Sequence, residues 1–250
     1  MKILAEEIED LKFYYKKENS DYTKFIKGKT IAIVGPSQSM INSNLGTEID
    51  SFDYVTRFNS AIFNFKTIKL LSKDIGSRTD ISYLANHIIL DWKKDTTKEV
   101  VDNNIRFLVA AEPSGNKDFE QANTYLEQKL LDLKIKTSNS HKTSSFLKNH
   151  LSVKDRRIAR VGFISIVDLL LRGAKHISIY GMTFYHGGGN ILRKDAIYDI
   201  DPESNHLGIK KNTHDSRLEL DLFKKIYNLY DSYITIDKEL LKLMNIQSPK

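Results

Sequence analysis

Cysteine is absent from all 250 residues. That excludes disulfides, cysteine-based zinc sites and a thiol nucleophile, and it fits a reducing, cytosolic compartment. No apolar run approaches the ~18 residues that a membrane span requires. The first 18 residues are charged throughout and lack the apolar stretch of a secretory signal. The expectation is a soluble, cytoplasmic chain without a transmembrane segment, whose contact with a membrane is peripheral at most. A basic cluster with interleaved aromatics is missing too. The 38 Lys and Arg residues are scattered among 32 Asp and Glu, which argues against a nucleic-acid partner. The net charge of +6 suits anionic ligands such as nucleotides, acidic glycans or a lipid surface. It equally suits a composition that is simply rich in Lys and Asn.

What remains is ordinary globular material, 40% hydrophobic and 28% charged, long enough to bury a core as one domain. Leu4, Ile8, Leu11 and Tyr15 share a helical stripe. Residues 1–28 therefore read as a helical segment packed on a domain spanning 29–250. Thr30–Val34 is short, apolar and rich in β-branched residues, the pattern of a buried parallel strand. Strand signals recur at Tyr54–Phe58, Thr79–Tyr83, Ile105–Ala111, His176–Tyr180 and Ile234–Ile236. Helical spacing fills Phe119–Leu133, Gly162–Arg172 and His214–Tyr230. Thr137–Ser145 reads as a polar loop and 185–212 as a long loop of the lid or binding kind. Strands alternating with helices predict an α/β fold: a Rossmann-like, mainly parallel sheet flanked by helices. Such sheets bind ligands at the carboxyl ends of their strands.

Three constellations fall at such ends. The turn Gly35-Pro36-Ser37-Gln38-Ser39 follows the first strand. A glycine there lets backbone N–H groups approach a ligand, and the hydroxyls add donors. It is neither a P-loop nor a GxGxxG turn, so a dinucleotide is disfavoured. It also reads as a plain strand-ending turn. In the second, alternation puts Arg57 and Asn59 on one face, where they can hold phosphate, ribose or the loop itself. The third begins at His214, at a helix N-terminus. The dipole there disfavours imidazolium, and a neutral imidazole can serve as a general base. A capping or surface role is the alternative. Glu219 falls on the apolar stripe of that helix, with Leu222 and Phe223, so it needs hydrogen-bond partners.

In order, these segments resemble the sialyltransferase family of animals and plants, which is defined by short sialylmotifs. The large motif is matched by Ile31-Ala32-Ile33-Val34-Gly35-Pro36-Ser37, Leu45-Gly46-Thr47-Glu48-Ile49-Asp50 and Arg57-Phe58-Asn59. The small motif is matched by Val161-Gly162, a helix, and Ile179-Tyr180-Gly181-Met182. His214 and Glu219 match the His-x4-Glu motif. The resemblance implies a single-domain GT-A-like variant and a metal-independent, inverting transferase. The donor would be a CMP-activated acidic 2-keto sugar (sialic acid or Kdo-like), the acceptor a glycan or glycolipid hydroxyl. No cofactor is implied beyond the CMP-sugar, itself a co-substrate, and no metal site.

Carried over residue by residue, the nucleotide site is Gly35, Pro36, Ser37, Gln38, Arg57, Asn59 and Gly162, and His214 is the base. The match departs from the family at Pro36, where many members have Asn. Arg160-Val161 also replaces the usual Pro-Ser/Thr pair. The third motif keeps only Tyr198, so contact with the departing phosphate falls to Tyr198, His186 or His206. The missing cysteines imply a non-Golgi member, microbial or viral. The alternative is a catalytically degenerate nucleotide-binding module.

Overall fold

A computed structural model describes residues 2–90, 94–111, 124–128, 135–151, 159–186, 189–197 and 215–245. Two helices lead the chain, α1 (Lys2–Glu18) and α2 (Asp21–Ile26). Then come β1 (Thr30–Val34), α3 (Gly46–Asp50), β2 (Tyr54–Phe58), α4 (Phe65–Leu70), α5 (Ser72–Ile75) and β3 (Ile81–Leu84). They are followed by α6 (Asn86–Leu90), α7 (Lys94–Asp102), β4 (Phe107–Ala110), a helical stretch α8 at residues 124–128, and β5 (Lys136–Asn139). The remainder is α9 (His141–Leu151), α10 (Val161–Leu171), β6 (His176–Tyr180), β7 (Gly189–Asn190), β8 (Arg193–Ile197), α11 (Ser216–Tyr230), β9 (Ile234–Ile236) and α12 (Lys238–Leu243).

Seven strands form one parallel sheet in the order β5-β4-β3-β2-β1-β6-β9. The chain builds outward from β1 to β5, then returns to lay β6 on the other side of β1. Right-handed crossovers then require helices on opposite faces for the two halves, and the core divides accordingly. Ile31, Ile33, Ile81, Tyr83, Ile177 and Ile179 pack against α1, α2, α9, α10 and α11. Ala32, Val34, Val55, Leu84 and Leu108 face the layer of α3, α4 and α7. The reversal between β1 and β6 is the topological switch point, where open α/β sheets form their ligand crevice.

Three segments differ from the sequence reading. Thr137–Ser145 is not a loop: it contains most of β5 and the start of α9. Strand β5 reads Lys-Thr-Ser-Asn because it is an edge strand facing solvent, so it lacks the apolar signal of its neighbours. Helix α9 buries Thr143, Ser144, Phe146 and Leu147, hiding a core face behind hydroxyls. The segment 185–212 starts with a β7–β8 hairpin, and its remainder from 198 lies outside the described residues. Of the helix expected at Phe119–Leu133, only 124–128 is described.

Candidate active site

The β1 and β6 turns are zipped together at the switch point. Gly35 N–H donates to the Tyr180 carbonyl at 2.7 Å and Ser37 N–H to the Gly181 carbonyl at 3.1 Å. A Cβ on Gly35 would lie 2.3 Å from the Gly181 carbonyl oxygen, so only glycine permits this approach. Gly181 sits at φ +64°, and its N–H donates to Asp237 Oδ2 at 2.6 Å. Burial raises the Asp237 carboxyl above its ordinary range, partly offset by the N–H groups it accepts.

Pro36 and Ser37 meet the β7–β8 hairpin. Ile191 N–H donates to the Pro36 carbonyl at 2.8 Å, and Ser37 forms an isolated bridge with Asn190. Ser37 Oγ accepts from Ser39 N–H at 3.2 Å and from Ser39 Oγ at 2.9 Å. Gln38 is exposed and packs beside Gly189. The register Ile33↔Thr56 carries Phe58-Asn59 to the neighbourhood of Gly35-Pro36. Asn59, at φ +49°, accepts from Ala85 N–H through Oδ1 at 2.9 Å. That leaves its amide N–H groups without a partner among the described residues. Gly162 lies in the first turn of α10, and a Cβ there would meet Met182 and Phe58 at 3.0 Å. The crevice therefore gathers Gly35, Pro36, Ser37, Gln38, Asn59 and Gly162.

Arg57 does not join them. It is 1% exposed, and its guanidinium donates to the carbonyls of Ile75, Gly76 and Arg78 and to Thr79 Oγ1 at 2.6–3.2 Å. Burial lowers it to about 10, with Asp50 pulling the other way. Of the roles open to it, Arg57 takes that of holding a loop, so the nucleotide assignment is corrected. Period-2 alternation put Arg57 with Asn59, but β2 ends at Phe58 and the positive φ of Asn59 turns that side chain elsewhere. The same loop explains the Leu45–Asp50 segment. Asp50 accepts from Ser77 and Arg78 N–H, Arg78 returns to the carbonyls of Asp50, Phe52 and Asp53, and Glu48 accepts from Tyr180 OH at 2.6 Å. The most recognisable motif residues thus build the frame around loop 75–80.

His214 and Tyr198 lie outside the described residues. Helix α11 begins two residues after His214, and Asp215 caps it by accepting from Arg217 and Leu218 N–H, both at 3.0 Å. Glu219, in its first turn, is 1% exposed. Its Oε1 accepts from Arg160 N–H at 3.2 Å, and its Oε2 lies 3.2 Å from the Arg160 guanidinium. Burial pushes its carboxyl up to about 7, against the pull of Arg160. His186 is half-buried, with Nε2 3.4 Å from the Ser216 carbonyl, and burial lowers its pKa. The Arg160–Glu219 pair spans 59 residues, and no local pattern announced it.

Glu219 gives a pH prediction. Its folded pKa is raised, so between about 4.5 and about 7 the folded state holds a proton that the unfolded chain has lost. Stability should fall as pH rises through that window and level off above it, by about 3 kcal/mol at ~1.4 kcal/mol per pK unit. Urea unfolding at pH 5 and pH 8 should show this loss in the wild type and not in Glu219→Gln. Parallel pH curves would mean that Arg160 keeps Glu219 ionised throughout.

Among the described residues, no cluster of three or more His, Asp or Glu side chains is arranged to hold a metal ion, and no helix is long and apolar enough to cross a membrane.

Comparison with known proteins places the chain in a family. Residues 4–154, more than half the chain, match the model of glycosyltransferase family 29 (sialyltransferase). Beta-galactoside alpha-2,6-sialyltransferase 2 of Xenopus tropicalis is 33% identical over 85 residues, 34% of this chain and 15% of that protein. The matched segment is thus a small part of that relative's length. The fold is similar to that of the monofunctional alpha-2,3-sialyltransferase Cst-I from Campylobacter jejuni, with a TM-score of 0.56 and 19% identity over 88% of this chain and 81% of that one. It is also similar to CstII from Campylobacter jejuni in complex with cytidine-5'-monophosphate, at TM-score 0.53 and 14% identity over 86% and 87%. The chain belongs to glycosyltransferase family 29, the sialyltransferases.

Proposed function

We propose that this chain transfers an acidic 2-keto sugar, sialic acid or a Kdo-like sugar, from its CMP-activated form to a hydroxyl of a glycan or glycolipid. The observation that carries this is the convergence of Gly35, Ser37, Asn59 and Gly162 on one crevice at the β1/β6 switch point, in a chain of this family. Ser37 Oγ is the acceptor in both of its hydrogen bonds, so its own hydrogen is available to the nucleotide. The Asn59 amide supplies a second donor. Pro36 has no N–H to offer, so Ser37 and Asn59 hold more of the nucleotide than in members with Asn at that place.

In the transfer, the acceptor oxygen bonds to the anomeric carbon of the donor as the bond from that carbon to the CMP phosphate oxygen breaks. The acceptor proton passes to His214, and CMP leaves with the bonding electrons. Attack opposite the leaving group inverts the anomeric centre. Donors aimed at the departing phosphate stabilise its charge; Tyr198, His186 and His206 are the candidates. The anomeric carbon carries a carboxylate that favours an oxocarbenium-like transition state, so the reading includes no metal ion and no further cofactor.

The test follows CMP release from CMP-sialic acid and from CMP-Kdo, with a glycan array as acceptor and with EDTA present. Turnover of one donor, undiminished by EDTA, is the expected result. Calorimetric binding of CMP without turnover of either donor would replace this reading by the degenerate nucleotide-binding module.

A further inference from the structure

We infer that Arg160 is a positioning residue of the proposed transfer site: clamped to Glu219 and braced on Tyr185, it fixes the first turn of α11 relative to the crevice. The inference rests on the transfer reading above. Its structural half stands on geometry alone.

Arg160 is the N-cap residue of α10, two positions before Gly162. Most caps at such a place offer a short side-chain oxygen to the helix N–H groups. Arg160 makes no side-chain cap hydrogen bond. Its backbone N–H and guanidinium instead both turn to Glu219. The guanidinium contact is an ion pair at 3.2 Å without hydrogen-bond geometry, so the backbone N–H gives the pair its direction and the guanidinium adds charge. Its other face lies 4.3 Å from the centre of the Tyr185 ring, a cation–π contact.

The brace is itself held in place. Phe184 and Tyr185 are consecutive non-glycine residues at φ +49° and +65°, a conformation that persists only where packing enforces it. Phe184 supplies the packing: it is 4% exposed and lies against Phe163 of α10 and Phe223 of α11, with ring centres 5.7 and 5.2 Å away. The segment carrying Tyr185 leads on to Asn190 and Ile191, which bind Ser37 and Pro36. Arg160 therefore touches both parts that must keep register with the nucleotide turn. One is the segment covering it, and the other is the helix start that His214 precedes by two residues.

The test uses the full chain with Arg160→Met, Arg160→Lys and Arg160→Met/Glu219→Gln, alone and with His214→Ala. A shift of about 1 Å at a reacting group can cost ~10²-fold, so Arg160→Met should lower kcat by roughly 30–100-fold and leave donor KM within about threefold. Arg160→Lys should fall between wild type and Arg160→Met. The double variant removes the buried negative charge together with the guanidinium that faces it and should recover part of the loss. In the His214→Ala background, Arg160→Met should change kcat by less than about twofold, because residues acting as a unit are not additive.

Amide exchange over residues 216–222 of α11 should accelerate in Arg160→Met, with the sheet unchanged. An unchanged kcat in Arg160→Met, where His214→Ala lowers it, overturns the inference and leaves the transfer reading standing. So do losses that multiply with that of His214→Ala. Should no donor turn over, the transfer reading fails by itself, and unchanged exchange over 216–222 then overturns the clamp as well. If Arg160→Met does not fold, Arg160→Lys and Glu219→Gln carry the same comparisons.

Discussion

Replacing His214 by alanine is expected to lower kcat by ~10²–10⁴-fold, the usual yield of general acid–base help, with CMP affinity nearly unchanged. A base deprotonates the acceptor in the transition state and has no part in holding the nucleotide, so the loss should fall on kcat and on kcat/KM alike. His214 immediately precedes Asp215, the cap of α11, whose carboxylate takes two of the helix's free N–H groups. The N-terminus of the 15-residue α11 favours negative charge, and a general base acts only while unprotonated. The acid limb of the kcat profile should therefore disappear in the alanine variant. Full transfer rate in His214→Ala would remove the base assignment and point to His186, half-buried beside Ser216.

The second large effect is on stability. Asp168→Ala is expected to cost about 3–5 kcal/mol, the range for removing one partner of a buried ion pair. That is a large share of the ~5–15 kcal/mol that holds a domain folded. Asp168 of α10 and Arg172, the C-cap of that helix, sit one turn apart, both nearly inaccessible, with Arg172 Nε 2.8 Å from Asp168 Oδ2. The same Oδ2 accepts from Tyr83 OH at 2.8 Å, and Oδ1 accepts from Thr143 Oγ1 at 2.7 Å. Arg172 goes on to Thr23 Oγ1, the Asn139 carbonyl and Glu18, and its guanidinium stacks over Tyr15 and Tyr22.

Burial alone would lower the Arg172 guanidinium, but Asp168, with Tyr15 and Tyr83, more than reverses that. Removing Asp168 leaves a buried cation that joins α1, α2, α10 and the edge strand. Asp168→Ala/Arg172→Met removes the cation as well and should regain much of the loss, as read by urea midpoints. A single-variant loss below about 1 kcal/mol, the value of an exposed pair, would mean that water enters the network.

Much of the sheet was legible because parallel strands buried on both faces are mostly apolar, as the runs in β1 and β4 are. What escaped was polar by necessity or short. β5 carries Lys136 and Asn139 because it has a solvent edge. Helices α4 and α5 are six and four residues long, too short for a period to declare itself. At the β1 turn, Gly35 was legible from its place after an apolar strand. The task of Arg57 was not, because the carbonyls that claim it come from 18 to 21 residues further on. Glu219 betrayed its burial through its stripe, yet its partner lay on another helix. One signal was available and unread: Asp168 and Arg172 are the charged pair of an otherwise apolar helix, four residues apart.

The strand order has a consequence for how the protein is made. Thr30 of β1 pairs with His176 of β6, 146 residues later in the chain. At ~5–20 residues per second, a ribosome needs roughly 7–30 s to supply that neighbour. Until then β1 has β2 on one flank and a bare backbone edge on the other, and Gly35 has no Gly181 to close upon. The junction of the β1 and β6 turns is thus among the last features to exist on the nascent chain, and the open flank of β1 is where a holding chaperone would have most to cover.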